Sequence, residues 1–165
     1  LKEEGKSLPF GLYIVNSVQE EIGLRGAEMI AAQIKPNVAI CTDVCHDTHS
    51  PMYDKKYQGD QKCGNGPVLT YGPAVQNNLL NMLIEVAKQN KIPFQRSAAS
   101  RSTGTDTDAF AYSNEGVPAA LISLPLKYMH TTVETAHETD IEQVIELMYQ
   151  FLIQLENGHD FRYLK

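Results

Sequence analysis

The chain has 165 residues, of which 42% are hydrophobic and 21% charged, and its formal net charge is −6. This size and balance predict one globular domain with a sizeable core. The negative charge gives no support to nucleic-acid binding, because no basic stripe is available to neutralise phosphates. Membrane insertion is not expected either, since no apolar run approaches the roughly 20 residues of a span.

The start of the chain and its cysteines bear on the cellular compartment of the protein. The start LKEEGKSLPF is polar and not typical of a signal peptide. Because the chain does not begin with Met, we expect it to begin inside a longer gene product. The three cysteines, Cys41, Cys45 and Cys63, are few and odd in number. They favour reduced thiols in the cytoplasm over a disulfide framework.

The first part of the chain alternates short apolar runs with amphipathic ones. The β-branched run LYIVNSV predicts a buried strand over 12–18, and LRGAEMIAAQI predicts a helix over 24–34 that stops before Pro36. A second strand is expected over 37–43. Residues 45–66 are rich in Asp, His, Pro and Gly and predict a long loop, which in a compact domain is usually functional or partly disordered.

The second part continues the alternation. The expected elements are a short strand in PVLTYG, a helix over 75–90, a strand in IPFQRSA, a short helix opened by SRSTGTDTD, a strand over 117–124 and a final amphipathic helix. Thr139 and Glu142 have the spacing of a capping box for that last helix. The pattern predicts an α/β sheet with helices on both faces.

Potential metal ligands follow three of the predicted strands. Glu20 and Glu21 follow the first, Asp43 ends the second, and His130 lies shortly after the strand over 117–124. Ligands in such sheets bind at the carboxyl ends of strands, and carboxylates and imidazoles bind zinc. Adjacent residues point different ways, so one glutamate could bind a metal while the other takes a proton from a water.

Each of these residues also has a simpler interpretation. Glu20 and Glu21 could stabilise the positive end of the following helix. Asp43 could be a turn or cap residue, and His130 could be an ordinary loop histidine. The metal hypothesis gains force only if all of them meet at one edge of the sheet.

A separate structural zinc is a further alternative. Cys41, Cys45, His46, His49 and Cys63 have suitable residue types. Cys41 is expected inside a strand, however, and buried free cysteines are common. His46 could instead lie at the rim of the active site as a group that supports a ligand.

Five segments together resemble the tetrahedral aminopeptidase family: NSVQEEIGLRGA, CTDVCHDT, GPAVQNNLLNMLIEVAKQNKIPFQ, STGTDTDAF and GVPAALISLPLKYMHTTVE. The resemblance runs from about Leu12 to Leu155. The family consists of cytoplasmic dizinc metallopeptidases, including glutamyl and deblocking aminopeptidases, and some members have been described as endoglucanases. The resemblance implies a mixed β-sheet flanked by helices, of the zinc-exopeptidase (phosphorylase/hydrolase-like) type. It also implies a peptide substrate, two Zn²⁺ per full-length site (with Co²⁺ or Mn²⁺ as alternatives) and a homo-oligomer, a hollow dodecamer in the family.

The resemblance also assigns roles to individual residues. It implies that Glu20 is the general base, that Glu21 and His130 bind one zinc, and that Asp43 binds the other. The mechanism it implies is hydrolysis of an N-terminal peptide bond by a water shared between the two metals.

The family segment G-T-D lines the substrate pocket, and its match here is Thr105 and Asp106. Arg101 lies close by in sequence and is a candidate for bidentate recognition of an acidic side chain. The alternative is that Asp106 is a helix N-cap and that Arg101 is simply solvated.

Two family features are missing from this sequence. The family has an upstream His-x-Asp motif and an upstream Asp that bridges both metals, and none of the five histidines here is followed two residues later by Asp. We therefore expect residues 1–165 to be the C-terminal portion of one catalytic domain, incomplete at its N-terminus and without the family's inserted β-domain.

This incompleteness has two expected consequences. The remaining ligands are fewer than the three or four that zinc takes, so the chain alone is predicted to bind metal weakly or not at all and to be inactive. It is also predicted to expose a sheet edge and an apolar face, which favours self-association.

Two other functions are alternatives to the aminopeptidase. A glycoside hydrolase places two carboxylates roughly 5 to 9.5 Å apart around the bond it cuts. The adjacent Glu20 and Glu21 and the absence of Trp argue against it. A binding fragment without catalytic activity is the third hypothesis, which the missing ligands favour.

Overall fold

The computed structural model describes residue 1 and residues 3–163. Within these residues the strands are β1 (Ala39–His46), β2 (Val68–Tyr71), β3 (Gln95–Ala98), β4 (Ala119–Lys127) and β5 (Thr135–Ala136). The helices are α1 (Arg25–Ile34), α2 (Lys55–Gln58), α3 (Asn77–Gln89), α4 (Asp106–Ala111) and α5 (Glu138–Gln154). No helix in this part of the chain is long and apolar enough to cross a bilayer.

The strands form one mixed sheet. Its order is β1-β4-β2-β3, and β5 also pairs with β4. β1 runs parallel to β4 and β2 parallel to β3, whereas β2 and β5 run antiparallel to β4. The predicted mixed α/β sheet is confirmed.

Helices cover both faces of this sheet. Because successive strand side chains point to opposite faces, neighbouring residues of β4 meet different helices. Ala119 packs with Phe110 and Ala111 of α4. Helix α1 in turn contacts α4. Ala120 joins the main core, to which α3 contributes Leu79, Leu80 and Leu83, and α5 contributes Leu147 and Phe151. The main core anchors β4 and therefore fixes the positions of the strand ends.

The predicted strand over 12–18 is wrong. This segment is irregular and pairs with none of the five strands in the described chain. Its apolar side chains are solvent-exposed, Tyr13 to 69% and Ile14 to 93%. β-Branched and aromatic residues favour strands because they pack on a pleated neighbour, and in the described residues no strand pairs with this segment.

Two other boundaries differ from the prediction. β1 continues to His46, so Asp43 lies inside the strand instead of at its end. The predicted capping box is also wrong, because α5 begins at Glu138, one residue before Thr139. The Thr139 hydroxyl instead forms a hydrogen bond with Nδ1 of His137 over 2.8 Å.

Two buried carboxylates hold the long connection between β1 and β2. Asp47 Oδ1 accepts a hydrogen bond from the His49 backbone at 2.7 Å, and Oδ2 accepts one from the Cys63 backbone at 3.1 Å. Asp140, in the first turn of α5, accepts bonds from the backbone N–H groups of Gly64 at 2.7 Å and Gly66 at 2.8 Å. Both carboxylates are 0% exposed. Asp47 joins the two ends of this connection, and Asp140 joins the connection to α5.

Gly26 fixes the approach of the segment that carries Glu20 and Glu21. Its backbone N–H donates to Val18 O at 3.0 Å. A Cβ at this position would lie 2.4 Å from Val18 O and 2.5 Å from Val18 N, distances that backbone atoms do not tolerate.

Gly26→Ala is therefore expected to break the bond to Val18 and displace residues 18–21. We expect the unfolding free energy to fall by about 1–2 kcal/mol, and the amide NMR signals of residues 17–24 to shift. Gly11→Ala is the matched control, because a Cβ there meets only Tyr13 Cε2, at 3.9 Å. Equal behaviour of the two variants in urea titration would contradict this role of Gly26.

Candidate metal and catalytic site

The two adjacent glutamates lie in a tight turn just before α1. Glu20 O accepts hydrogen bonds from the backbones of Gly23 and Leu24, each at 3.2 Å. Upstream, the Ser17 hydroxyl donates to Asp106 in the first turn of α4. The turn is therefore connected to both α1 and α4.

Glu21 meets His130 across a separation of 109 residues. Glu21 Oε1 and His130 Nε2 lie 3.2 Å apart, at a solvent-exposed position. His130 follows β4 in a left-handed conformation (φ 61°), and its backbone N–H donates to the Glu134 carboxylate. The residue at the N-cap of α1 is Leu24, whose side chain makes no capping bond. Glu21 is thus engaged with His130 instead of capping the helix.

Asp43 lies in β1, opposite Ser123 of β4. Its Oδ1 accepts a hydrogen bond from its own neighbour, Val44 N, at 2.7 Å. Burial raises the pKa of Asp43, the bond from Val44 opposes this, and the negative charges of Asp106 and Glu21 raise the pKa further. Asp43 therefore faces other carboxylates in the described chain.

Glu20 lies in the same electrostatic environment. Burial is the main cause that raises the pKa of Glu20, and the negative charges of Asp43, Glu21 and Asp106 raise it further. His130 lowers the pKa of Glu20. A raised pKa brings a carboxyl group closer to neutral pH, which suits a group that must take up and release a proton.

The structure thus places Glu20, Glu21, Asp43, Asp106 and His130 at one location, which we call the acidic cluster. Asp106 belongs to it, although the sequence analysis predicted a pocket lining or a helix N-cap at this position and not a member of the metal site. One of its oxygens accepts the bond from Ser17, and the other, Oδ1, is buried without a partner among the described residues. Four carboxylates beside one imidazole form a strongly negative site, which favours a bound cation.

The other two predicted substrate residues, Thr105 and Arg101, differ in their exposure to solvent. Thr105, not Asp106, is the N-cap of α4: its hydroxyl accepts a bond from Thr107 N at 3.2 Å, and the residue is 6% exposed. The hydroxyl of Thr105 is therefore used inside the fold. Arg101 is exposed in the loop that leads to α4, as the solvated alternative predicts.

The donor set fits zinc in kind. Carboxylate oxygens and an imidazole nitrogen are ordinary zinc ligands. In residues 1 and 3–163, however, no three His, Cys, Asp or Glu side chains are arranged to hold a metal ion. The acidic cluster therefore has suitable ligands but would need others to complete a coordination sphere.

The alternative structural zinc has no support in the same residues. Cys41 is buried in β1, and Cys63 Sγ donates to Pro125 O at 3.1 Å. His49 Nε2 pairs with Asp60 at 2.7 Å. These side chains have partners of their own and do not converge on a common point.

His46 makes a contact that was not predicted from the sequence. Its Nδ1 lies 2.8 Å from the Tyr53 hydroxyl, and the two ring centroids are 4.8 Å apart. A tyrosine seven residues further along an irregular loop has no periodic signature. Only the loop structure, anchored by Asp47 and Asp140, brings Tyr53 back to the end of β1.

Burial and the crowding of carboxylates around Asp43 predict a pH-dependent gain of stability for Asp43→Asn in the metal-free chain. At neutral pH the Asp43 charge is partly buried and repelled by other carboxylates in the folded state, but it is solvated in the unfolded one. Because the folded-state pKa is raised, this unfavourable contribution shrinks as the pH falls below that pKa and is absent below the lower pKa of the unfolded state. The amide keeps an oxygen that can accept the bond from Val44.

Thermal melts should therefore show a higher Tm for Asp43→Asn than for the parent chain at pH 7, and a smaller difference at pH 4. Glu142→Gln, on the exposed side of α5, is the control and should show neither effect. A lower Tm for Asp43→Asn at pH 7 would show that the Asp43 charge is compensated instead of repelled.

Comparison with known proteins extends these observations. A profile of the M42 glutamyl aminopeptidase family matches residues 1–147. The lysyl aminopeptidase of Pyrococcus furiosus is 40% identical over 145 residues, which cover 88% of this chain and 41% of that protein.

Solved structures agree in fold. The TET aminopeptidase of the marine sediment archaeon Thaumarchaeota archaeon SCGC AB-539-E09 matches with a TM-score of 0.86 and 31% identity, over 94% of this chain and 44% of that one. The Pyrococcus horikoshii TET1 peptidase, which can assemble into a tetrahedron or a large octahedral shell, matches with a TM-score of 0.67 and 28% identity, over 84% of this chain and 40% of that one.

The chain thus spans about two fifths of the length of these relatives, 41% for the lysyl aminopeptidase. Since the family profile covers most of the chain, and the fold and its α/β elements agree with the solved relatives, the chain belongs to the M42 glutamyl aminopeptidase family.

Proposed function

We propose that this chain is the C-terminal portion of the catalytic domain of a metal-dependent aminopeptidase, which hydrolyses N-terminal residues from peptides. The observation that carries the proposal is the contact between Glu21 and His130, 3.2 Å apart, beside the partly buried Glu20. Two segments far apart in sequence bring together a proton acceptor and potential ligands, and the family membership gives this arrangement a chemical meaning.

Two zinc ions, with Co²⁺ or Mn²⁺ as alternatives, are the cofactors that we propose. Glu21 and His130 would hold one, and Asp43 would hold the other. When bound, such ions polarise a carbonyl group and acidify a water molecule. Upstream polypeptide would have to supply the remaining ligands, so we infer that the 165-residue chain alone binds metal weakly and does not turn over substrate.

The chain's own contribution to the reaction is proton transfer by Glu20. Its carboxylate takes a proton from the attacking water as the oxygen adds to the scissile carbonyl carbon. It then gives that proton to the departing amine nitrogen, so that one carboxyl group serves both half-steps. Burial and the neighbouring carboxylates raise the pKa of Glu20, which makes its carboxylate a better acceptor for the proton of the water.

The substrate would approach from the side of α4. Asp106 lies within the acidic cluster, and we propose that its charge favours the ammonium group of the peptide's N-terminus. Arg101 is the candidate for an acidic substrate side chain. Thr105 would act by fixing the first turn of α4, because its hydroxyl is occupied by the cap.

We also propose that the complete protein is a homo-oligomer, as the Pyrococcus horikoshii relative is. β1 lies at one edge of the described sheet, and exposed apolar side chains such as Ile14 lie outside the core. Such surfaces favour association. The three free cysteines support a reducing, cytoplasmic setting.

An activity assay on the complete gene product, the whole polypeptide in which these residues occur, tests this proposal. We expect hydrolysis of aminoacyl p-nitroanilides that a chelator abolishes and Zn²⁺ restores, and no hydrolysis of cellulose. The 165-residue chain alone should be inactive in the same assay. Cellulose hydrolysis that survives the chelator would instead support a glycoside hydrolase, and inactivity on every aminoacyl substrate would favour a binding role.

A further inference from the structure

The end of β1 carries an imidazole that the proposed mechanism does not use. His46 is the last residue of the strand that contains Asp43, and it is paired in register with Leu126 of β4. β4 ends one residue later and leads into the turn that bears His130. His46 therefore lies at the same edge of the sheet as the acidic cluster.

We propose that His46 is a further catalytic residue, which donates a hydrogen bond from Nε2–H to the carbonyl oxygen of the scissile peptide bond, and that Tyr53 is the positioning residue that holds its ring. This inference rests on the proposed aminopeptidase function, since it names a group that would act on the same substrate.

The hydrogen bond to Tyr53 determines which nitrogen of the His46 ring carries the proton. When the Tyr53 hydroxyl donates to Nδ1 over the observed 2.8 Å, the proton of a neutral imidazole must reside on Nε2. The tilted contact between the rings, with an interplanar angle of 36°, also fixes the plane of the imidazole. Nε2 has no hydrogen-bond partner in the described part of the chain, and so remains available as a donor.

The ring environment favours the neutral form. Partial desolvation lowers the pKa of His46, and the positive form of His130 lowers it further. A neutral imidazole N–H can stabilise negative charge on a carbonyl oxygen without first losing its proton to that oxygen. Since Nε2 carries hydrogen in this tautomer, it is a donor to substrate and not a metal ligand.

Nitrogen NMR of the 165-residue chain tests the first half of the inference. We expect the His46 side chain at pH 7.5 to show an unprotonated Nδ1 and a protonated Nε2. Tyr53→Phe keeps the aromatic ring but removes the donor, and should shift His46 towards a mixture of tautomers. Tyr57→Phe is the matched control, since Tyr57 is 88% exposed on α2, and should leave the His46 signals unchanged. Protonation of Nδ1 in the parent chain would overturn the proposal.

Kinetics of the complete gene product test the second half. His46→Ala should lower kcat on an aminoacyl p-nitroanilide by about 10²-fold with KM little changed, as expected for a donor that acts in the transition state. His46→Gln, which restores an N–H donor, should recover part of the loss. Tyr53→Phe should lower kcat less than His46→Ala does, and Tyr57→Phe not at all.

The outcomes separate this inference from the proposed function. An active parent enzyme with an unchanged kcat for His46→Ala would overturn the role of His46 and leave the aminopeptidase intact. A parent enzyme that is inactive on every peptide substrate would overturn both. A loss of metal in His46→Ala, measured by atomic absorption, would make His46 a ligand and also contradict the inference.

Discussion

Replacing Glu20 with glutamine is expected to lower kcat of the complete, zinc-loaded gene product by about 10²- to 10⁴-fold, the range that general acid–base catalysis contributes. The amide has nearly the same shape but can neither accept the proton of the attacking water nor return it to the leaving amine. The direct contact to His130 is made by Glu21, so the metal content measured by atomic absorption should stay the same.

Two comparisons make this result specific. Glu142→Gln removes an equal charge from the exposed side of α5 and should leave kcat unchanged. Glu21→Gln should lower the metal content as well as kcat, which distinguishes a ligand from a base. If Glu20→Gln turned over substrate at the parent rate, the proton would have to pass through another group, and Glu20 would have no catalytic role.

The largest effect on stability is expected at Asp140. Its two carboxylate oxygens accept bonds from the backbones of Gly64 and Gly66, and the side chain is completely buried. In Asp140→Asn one oxygen becomes an NH₂ group that cannot accept, so one backbone donor loses its partner. Hydrogen bonds to charged groups contribute about 1.5–3 kcal/mol each, and we expect a loss of about 2–4 kcal/mol in urea unfolding.

The control for Asp140 lies in the same helical turn. Glu138→Gln removes a charge near the N-terminus of α5 from an exposed position. It should cost no more than about 1 kcal/mol, the usual size of an exposed helix-dipole interaction. If both variants lost the same stability, the effect of Asp140 would be that of charge at a helix end and not of the two buried bonds.

The sequence predicted the elements whose stability is local. The amphipathic stripe of α3 and the apolar run of β4 lie within a few residues of their predicted bounds. The apolar segment over 12–18 shows the limit of this reasoning. Its composition favours a strand, but a strand exists only beside a partner, and composition does not say whether the chain provides one.

The candidate site was predictable to a similar degree. The positions of Glu20, Glu21, Asp43 and His130 after or within predicted strands led to the prediction of a shared metal site. In the described residues Glu21 contacts His130, and the charges of Glu21 and Asp43 act on Glu20, but no three side chains are arranged to hold a metal, so the metal roles stay a prediction. Asp106 was predicted as a substrate residue, but its contact with Ser17 and the pairing of His46 with Tyr53 were not predicted. The second depends on how the long loop after β1 folds back, which the buried bonds of Asp47 and Asp140 stabilise.

The most direct test of the central claim is zinc-edge anomalous diffraction from crystals of the complete gene product. We predict two peaks at the acidic cluster. One should lie about 2.0–2.2 Å from Glu21 and His130, so that a shared cation replaces their present 3.2 Å contact, and the other should lie at the same distance from Asp43. Peaks remote from these side chains, or zinc-soaked crystals in which Glu21 still bonds directly to His130, would contradict the claim.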